Sequence, residues 1–465
     1  MPLSRTRAAA PTTIRRPRTL LAAHRIAGAA LCMALGSSLA IAQTTGADPL
    51  DMAEAVRAAV RTHPSIRSAD EQVKGANEGV NAARAGYRPQ ITGGVDSQYN
   101  TYRDSSYDSR NVYTARLSGS QMIYDFGKVA GATDKARSGV RVAEAQVELA
   151  TDDVALNTAQ AWVDAHLQQA LVQIARDQLA AVQSITALVA ERTAKGATSR
   201  SDLEQANSRV EAVRSQMLGA EADALRASLT LMYLTGRTAP VAITGDVPEI
   251  LAGEACRAGG EVETPAVRLA NARRDQARAD LNIAKADRLP TASLDGSVGY
   301  ALTDGSRLYG QYRTTARAGV TLSMPLYSGG GTQARERGAA YQLRAFEDAV
   351  RQARLEMLQG FAGAKAQVDG WASRAPVLLT RVNSIDATRA LYRQQYLQLG
   401  TRSLLDLLNA EQEYHSARID QAQGLHQQYR LAVQCLYFSD RLRGAFGLEA
   451  PAPEADTPLP YGPNQ

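Results

Sequence analysis

Two hydrophobic periods alternate along this chain, and the alternation happens twice. Residues 50–86 are rich in alanine at helical spacing, with His63-Pro64 near the start and Pro89 as the stop. The period then falls to two. Ile91, Gly93, Val95 and Tyr99 alternate with Gln90, Thr92, Asp96 and Gln98. After a polar, turn-rich stretch (103–111), Tyr113, Ala115, Leu117 and Gly119 alternate with Thr114, Arg116, Ser118 and Ser120. Past Tyr124-Asp125-Phe126-Gly127 the helical period returns from about Lys128 to Lys195, a rod about 100 Å long. Val140, Val147, Val154 and Ala161 recur every seven residues, shadowed by Ala136, Ala143 and Ala150, as in a coiled-coil seam built for close approach. A tip at Gly196–Ser199 launches a return helix over about 199–235.

The second pass repeats the first. Pro64, Arg67, Asn81 and Pro89 match Pro265, Arg268, Asn282 and Pro290 at a constant offset of 201. Ala292, Leu294, Gly296, Val298, Tyr300 and Leu302 form one strand, and after a second polar stretch (303–311) Tyr312, Ala316, Ala318, Val320 and Leu322 form its return. Tyr327-Ser328-Gly329-Gly330-Gly331 then opens a second long helix over about 332–399. Its tip, Leu399-Gly400-Thr401-Arg402-Ser403-Leu404-Leu405-Asp406, echoes Lys195-Gly196-Ala197-Thr198-Ser199-Arg200-Ser201-Asp202 with an offset of 204. In each echo a serine stands three residues before an aspartate, the spacing of a capping box. An internal duplication decides the fold before any local detail does. The chain divides into a first-repeat helix (43–89), hairpin (90–126) and long helical hairpin (127–236), with its tip near 196–199. An irregular, Gly- and Pro-rich equatorial linker (237–262) follows, then the second-repeat helix (263–289), hairpin (290–328) and helical hairpin (329–446), with its tip near 400–403. A proline-rich tail (447–465) has a disordered composition.

Charge changes the picture once its location is read. Residues 1–42 carry Arg5, Arg7, Arg15, Arg16, Arg18 and Arg25 with no acid, so removing them turns a net charge of +5 into −1. An apolar run, Ile26–Ala42, ends in Ala40-Ile41-Ala42 and reads as a signal peptide over 1–42; a retained membrane anchor is the competing reading. Leu31 before Cys32 argues against lipidation. The basic excess is thus an export signal and not a nucleic-acid footprint. Export places Cys256 and Cys435 in an oxidising compartment, where a disulfide between them is possible.

Outside the signal no run approaches a membrane-spanning helix, so a membrane crossing must use strands. Four strands of about 11–13 residues with one apolar face suit that role, although a soluble hairpin alternates too. Four strands cannot close a barrel, since closure begins at eight. The chain must then oligomerise, and three copies, unlike two, leave room for a water-filled lumen.

The duplicated plan and the run Leu399–Ala410 resemble the TolC family of outer-membrane channel proteins across nearly the whole chain after the signal. The resemblance implies an all-α fold with transmembrane β. In it, a homotrimer forms a twelve-stranded outer-membrane β-barrel, which continues as long coiled-coil helices into a periplasmic α-barrel. It implies the outer membrane of a Gram-negative bacterium as the location. The partners would be outer-membrane lipid, a periplasmic adaptor (membrane fusion protein) and an inner-membrane ABC exporter or proton-driven efflux pump. By the resemblance, Asp406 matches the aspartate that rings the periplasmic entrance, and Asn409 stands where a second acidic ring is expected. Arg402 and Asp202, with Ser201 beside it, match residues that latch neighbouring tips shut. The position of the assisting tyrosine falls on Leu397. Gly196-Ala197 and Gly400-Thr401 match adaptor-docking tips. The plainer reading stays beside this one: Asp202 and Asp406 cap helices, Arg402 pairs with Asp406 one turn away, and the glycines end helices. The Tyr-Asp-Phe-Gly turn and the Gly-Thr-Arg-Ser-Leu-Leu-Asp tip resemble the type I secretion branch more than the drug-efflux branch.

Two other classes compete. For an enzyme, the five histidines are scattered, with no HExxH, no metal spacing and no nucleophile constellation, and Gly329-Gly330-Gly331 lacks a phosphate-loop lysine. No cofactor or metal is implied. A soluble periplasmic coiled-coil scaffold accounts for the helices and leaves the four patterned strands unexplained.

Overall fold

The computed structural model describes residues 50–99, 111–257, 262–302 and 313–448. The predicted export segment, nearly all of both polar stretches and all but the start of the proline-rich tail lie outside these residues. The first helical stretch is two helices, α1 (Met52–Thr62) and α2 (Pro64–Arg84), where the sequence suggested one. Proline forces the residue before it out of helical geometry. His63 is accordingly extended (φ −67°, ψ 130°), and its ring caps α2 by accepting from the Ser65 amide.

After a short 3-10 turn come β1 (Gln90–Tyr99) and β2 (Asn111–Tyr124), then α3 (Lys128–Ala194) and α4 (Arg200–Thr235). The linker holds one short helix, α5 (Glu249–Gly253). The second repeat supplies α6 (Pro265–Ala286), β3 (Thr291–Ala301), β4 (Thr314–Ser323), α7 (Gly331–Gln394), a π turn (Gln395–Leu399) and α8 (Leu404–Phe438). The last return helix is shorter than its period suggested. Asp440 adopts left-handed geometry (φ 54°), where its carboxylate accepts from Arg268 Nη1 at 3.1 Å. The chain then restarts as α9 (Leu442–Phe446).

The strands form one antiparallel sheet in the order β1-β2-β3-β4. Its register aligns Ile91, Gly119, Gly296 and Ala318 in one row and Gly93, Leu117, Val298 and Ala316 in the next row of that face. A one-residue slip would scatter these rows over both faces. The interleaved rows are polar: Gln90, Ser120 and Asp295, then Thr92, Ser118, Ser297 and Arg317. Ser120 donates to Asp295 (2.6 Å), and the Thr92 and Ser118 hydroxyls bond at 2.9 Å. Ile91 and Leu322 on the apolar face are each 71% exposed, so this chain does not cover that face. Among the described residues no helix is long and apolar enough to cross a membrane.

The helices lie side by side. Nearer the tips the packing order is α4-α3-α8-α7, and nearer the sheet it is α2-α3-α6-α7; α4 and α7 do not pack on one another. α7 is therefore an edge throughout, and only Thr332, Val350, Met357 and Ala364 are buried along its 64 residues. The main core lies where the linker meets α1, α3, α4 and α8. There Leu50, Met52, Val56, Trp162, Leu231, Leu251, Val433 and Leu436 pack together, and Trp162 Nε1 donates to the Leu50 carbonyl. Cys256 of the linker and Cys435 of α8 are joined by a disulfide in this core.

Between the main core and the tips, the seam of α3 against α8 is polar. Arg418 pairs with Asp177 (2.9 Å) and Arg430 with Asp164 (2.7 Å). Between these pairs His426 Nδ1 donates to the Ala422 carbonyl (2.7 Å), and its Nε2 lies 2.8 Å from His166 Nδ1. With Nδ1 of His426 so committed, the neutral ring accepts at Nε2 from His166 Nδ1–H. Burial pushes both histidines below their usual range; Asp246 opposes the shift at His166, and the Ala422 carbonyl and Asp164 oppose it at His426. The unfolded chain then binds more protons near pH 6 than the folded one. Stability is full above about pH 6.5 and is lost as pH falls through the lowered folded values. The urea midpoint should drop between pH 7 and pH 5, and a His166→Gln/His426→Gln double variant should flatten that slope. An equal slope in the double variant would assign the acid sensitivity elsewhere.

Candidate functional site

The two helical tips are built alike from local rules. α3 stops because Gly196 takes a left-handed conformation (φ 74°), and the π turn stops at Gly400 for the same reason (φ 62°). Both positions favour glycine. Ser199 caps α4: its hydroxyl accepts from the Asp202 amide (3.1 Å), and the Asp202 carboxylate accepts from the Ser199 amide (3.4 Å). Ser403 and Asp406 repeat this box at the start of α8 (3.2 Å each way). The Ser403 hydroxyl also donates to Asp406 Oδ2 at 3.0 Å. Ser403 above all, and Arg402 after it, holds the Asp406 carboxyl below the usual range, so it stays ionised. Asn409 is exposed, as are Gly196, Ala197, Gly400 and Thr401.

Arg402 has three neighbours in its own chain. Its Nε donates to Gln395 Oε1 (3.2 Å), its guanidinium lies 4.3 Å from the centre of the Tyr392 ring, and Nη1 is 4.0 Å from Asp406. Within one chain Arg402 is not brought to Asp202. Ser201, beside Asp202, bonds to the Ser199 hydroxyl at 2.7 Å. Sequence matching put the assisting aromatic at Leu397, which is 37% exposed; the ring under Arg402 is Tyr392. Tyr392 precedes the π turn (Gln395–Leu399) that leads to Gly400.

The tips also join each other. Val182, Ile185 and Val189 of α3, with Ala206, Val210 and Val213 of α4, form one apolar cluster with Tyr396, Leu404, Leu407 and Leu408. One chain therefore presents both tips at one end, with the ionised Asp406 and the polar Asn409 half-buried and exposed respectively. Among the described residues no three His, Cys, Asp or Glu side chains gather where a metal could sit.

A lipid-patterned sheet continuing into long helices with capped tips defines a membrane-strand protein with an extended helical body. The chain belongs to the family described as "Outer membrane efflux protein", which matches residues 55–237 and 261–439, one match to each repeat. It is an outer-membrane protein. It is 24% identical over 378 residues to "Outer membrane protein TolC" of Escherichia coli (strain K12), covering 77% of this chain and 75% of that one. It is 25% identical over 399 residues to "Proteases secretion protein PrtF" of Dickeya chrysanthemi, covering 80% and 84%. Among solved structures its fold matches that of CusC with a TM-score of 0.74 at 19% identity, covering 84% of this chain and 92% of that chain.

The caps make a local prediction. Ser403→Ala should cost about 1 kcal/mol at the tip. Amide exchange of 404–407 should quicken while overall helix content holds; unchanged exchange would mean the box carries no weight.

Proposed function

We propose that three copies of this chain close into an outer-membrane channel-tunnel that serves as the exit duct of a type I protein secretion system. The supporting observation is the placement of the open edges. β1, α2 and α4 end one side of the protomer, and β4 and α7 end the other. Joined edge to edge, β4 of one copy pairs with β1 of the next, and the exposed length of α7 packs on α2 and α4. Two copies would give a barrel filled by its own side chains, whereas three leave a lumen. The apolar rows then face lipid and the rows of Asp295 and Arg317 face water. No step in this role is catalytic.

At the other end the copies bring three Asp406 carboxylates into a ring at the periplasmic entrance, favouring cations. Asn409 in the next ring leaves strong block by multivalent cations unsupported. Arg402 reaches the neighbouring copy's Asp202 and Ser201 to latch the entrance, with Tyr392 and Gln395 orienting it from its own chain. Gly196, Ala197, Gly400 and Thr401 meet a periplasmic adaptor. That adaptor links the duct to an inner-membrane ABC exporter, or to a proton-driven pump in the efflux alternative. Residues 1–42 direct export and are removed. The linker with its disulfide forms the equatorial belt.

PrtF, a proteases secretion protein by name, favours protein cargo; the family description favours small-molecule efflux. The secreted proteome of a strain lacking the gene separates them. Loss of one large exported protein, restored by complementation, is the expected outcome. An unchanged secretome with raised drug accumulation would establish efflux instead. For the latch, Arg402→Ser with Asp202→Ala should raise single-channel conductance in planar bilayers, and unaltered conductance would remove it.

A further inference from the structure

The break between α1 and α2 leaves a cleft in the helical body. Val60 and Ile66 lie on opposite sides of the bend at His63-Pro64, and both line a cleft of about 380 Å³ between α1, α2, α3 and α9. Val147 and Leu448 extend its apolar wall, and Arg57 and Arg61 of α1 stand beside it, about one helical turn apart.

The charges at this cleft do not balance. Glu148 lines it too, but accepts from Arg268 Nε at 2.6 Å and lies 3.8 Å from Arg443, which is itself paired with Asp152 at 2.6 Å. Arg57 has one long bond, from Nη1 to the Phe446 carbonyl at 3.4 Å. Among the described residues no carboxylate pairs with Arg57 or Arg61. The exposed Asp70 is the remaining acid of the lining, which leaves the cleft positive and its apolar wall without a cover.

The chain arrives at this cleft with its last described residue. α9 closes with Gly447 in left-handed geometry (φ 62°) and with the Leu448 amide donating to the Arg443 carbonyl at 2.8 Å, the bonding of a Schellman cap. Leu448 belongs to the lining, so the next residues leave from the wall of the cleft. They read Glu449-Ala450-Pro451-Ala452-Pro453, and residues 449–465 hold Glu449, Glu454 and Asp456 with no lysine or arginine. Proline at alternate positions favours extended backbone, which lowers the entropy lost on docking. Two extended residues advance about 7 Å, and the four residues from Arg57 to Arg61 advance about 6 Å along α1. Because Arg57 stands where α9 ends, Glu449 can draw level with Arg61.

We propose that residues 449–453 of this chain dock in the cleft as an acidic strap. The Glu449 carboxylate accepts from Arg61, and Ala450 and Pro451 cover Val60 and Ile66. The strap ties the bend at His63 to α9, acts within one chain and does not depend on the channel reading.

Amide exchange of the full-length protein over 58–67 reads the bend. Ending the chain after Leu448 should quicken that exchange about fivefold, the upper end for a solvent-facing ion pair. Glu449→Gln alone should give most of the same change. Arg61→Gln should quicken the full-length chain more than the shortened one, where only its effect on the end of α1 remains. Unchanged exchange in the shortened chain, or equal effects of Arg61→Gln in both, overturns the strap. Occupancy is read separately with Arg61→Cys and Glu449→Cys in one chain under mild oxidation. A monomer without free thiols on a non-reducing denaturing gel is the expected result. A disulfide-linked dimer would give the cleft to the tail of a neighbouring copy, and a monomer with two free thiols would give it to some other occupant; either overturns the proposal.

Discussion

Backbone hydrogen bonding at the two outer strands governs the rest of this molecule. β1 and β4 each turn one row of amide and carbonyl groups away from the sheet. In a strand of ten residues about half of these groups point outward, and each costs several kcal/mol if left unpaired in hydrocarbon. The sum is tens of kcal/mol, against a typical net folding stability of about 5–15 kcal/mol. Under the proposed assembly a lone copy is not viable in a bilayer, and pairing β4 with β1 of the next copy removes that cost. Because α2 leads into β1 and α7 follows β4, closing the sheet commits the helices to close as well.

The large features were legible because duplication and period are strong signals. The alternation that set Ile91, Leu117, Val298 and Ala316 apart from their polar neighbours is the alternation that the register lines up on one face. Part of what was missed depends on partners remote in sequence. The return helix overran 439–441 because Asp440 is fixed by Arg268, 172 residues away. Leu397, the position the resemblance matches to the assisting tyrosine, carries no ring, and the ring under Arg402 is that of Tyr392. Pro64 was seen, yet its effect on His63 was not carried through to a second helix.

The tip aspartates show why capping and channel roles need not compete. One carboxylate oxygen of Asp406 accepts from the Ser403 amide and hydroxyl, and this arrangement stabilises the charged form. The cap therefore keeps the charge that an entrance ring, as proposed, would require. Under the proposed channel reading, Asn409 in the second ring position weakens the field without disturbing either cap. The same logic applies to the α3–α8 seam. Its mid-seam ion pairs and paired histidines make the boundary between repeats responsive to acid.

The disulfide has a consequence for biogenesis. Cys256 and Cys435 are 179 residues apart, and the segment between them contains α6, the whole second strand pair, α7 and most of α8. No oxidant can close the bond until Cys435 itself has reached an oxidising compartment. The linker and α8 consequently stay covalently free through the delivery of almost the entire second repeat. When the bond does form, it records that the linker and the end of the second repeat have both arrived, which gives oxidation the character of a completion mark for the chain.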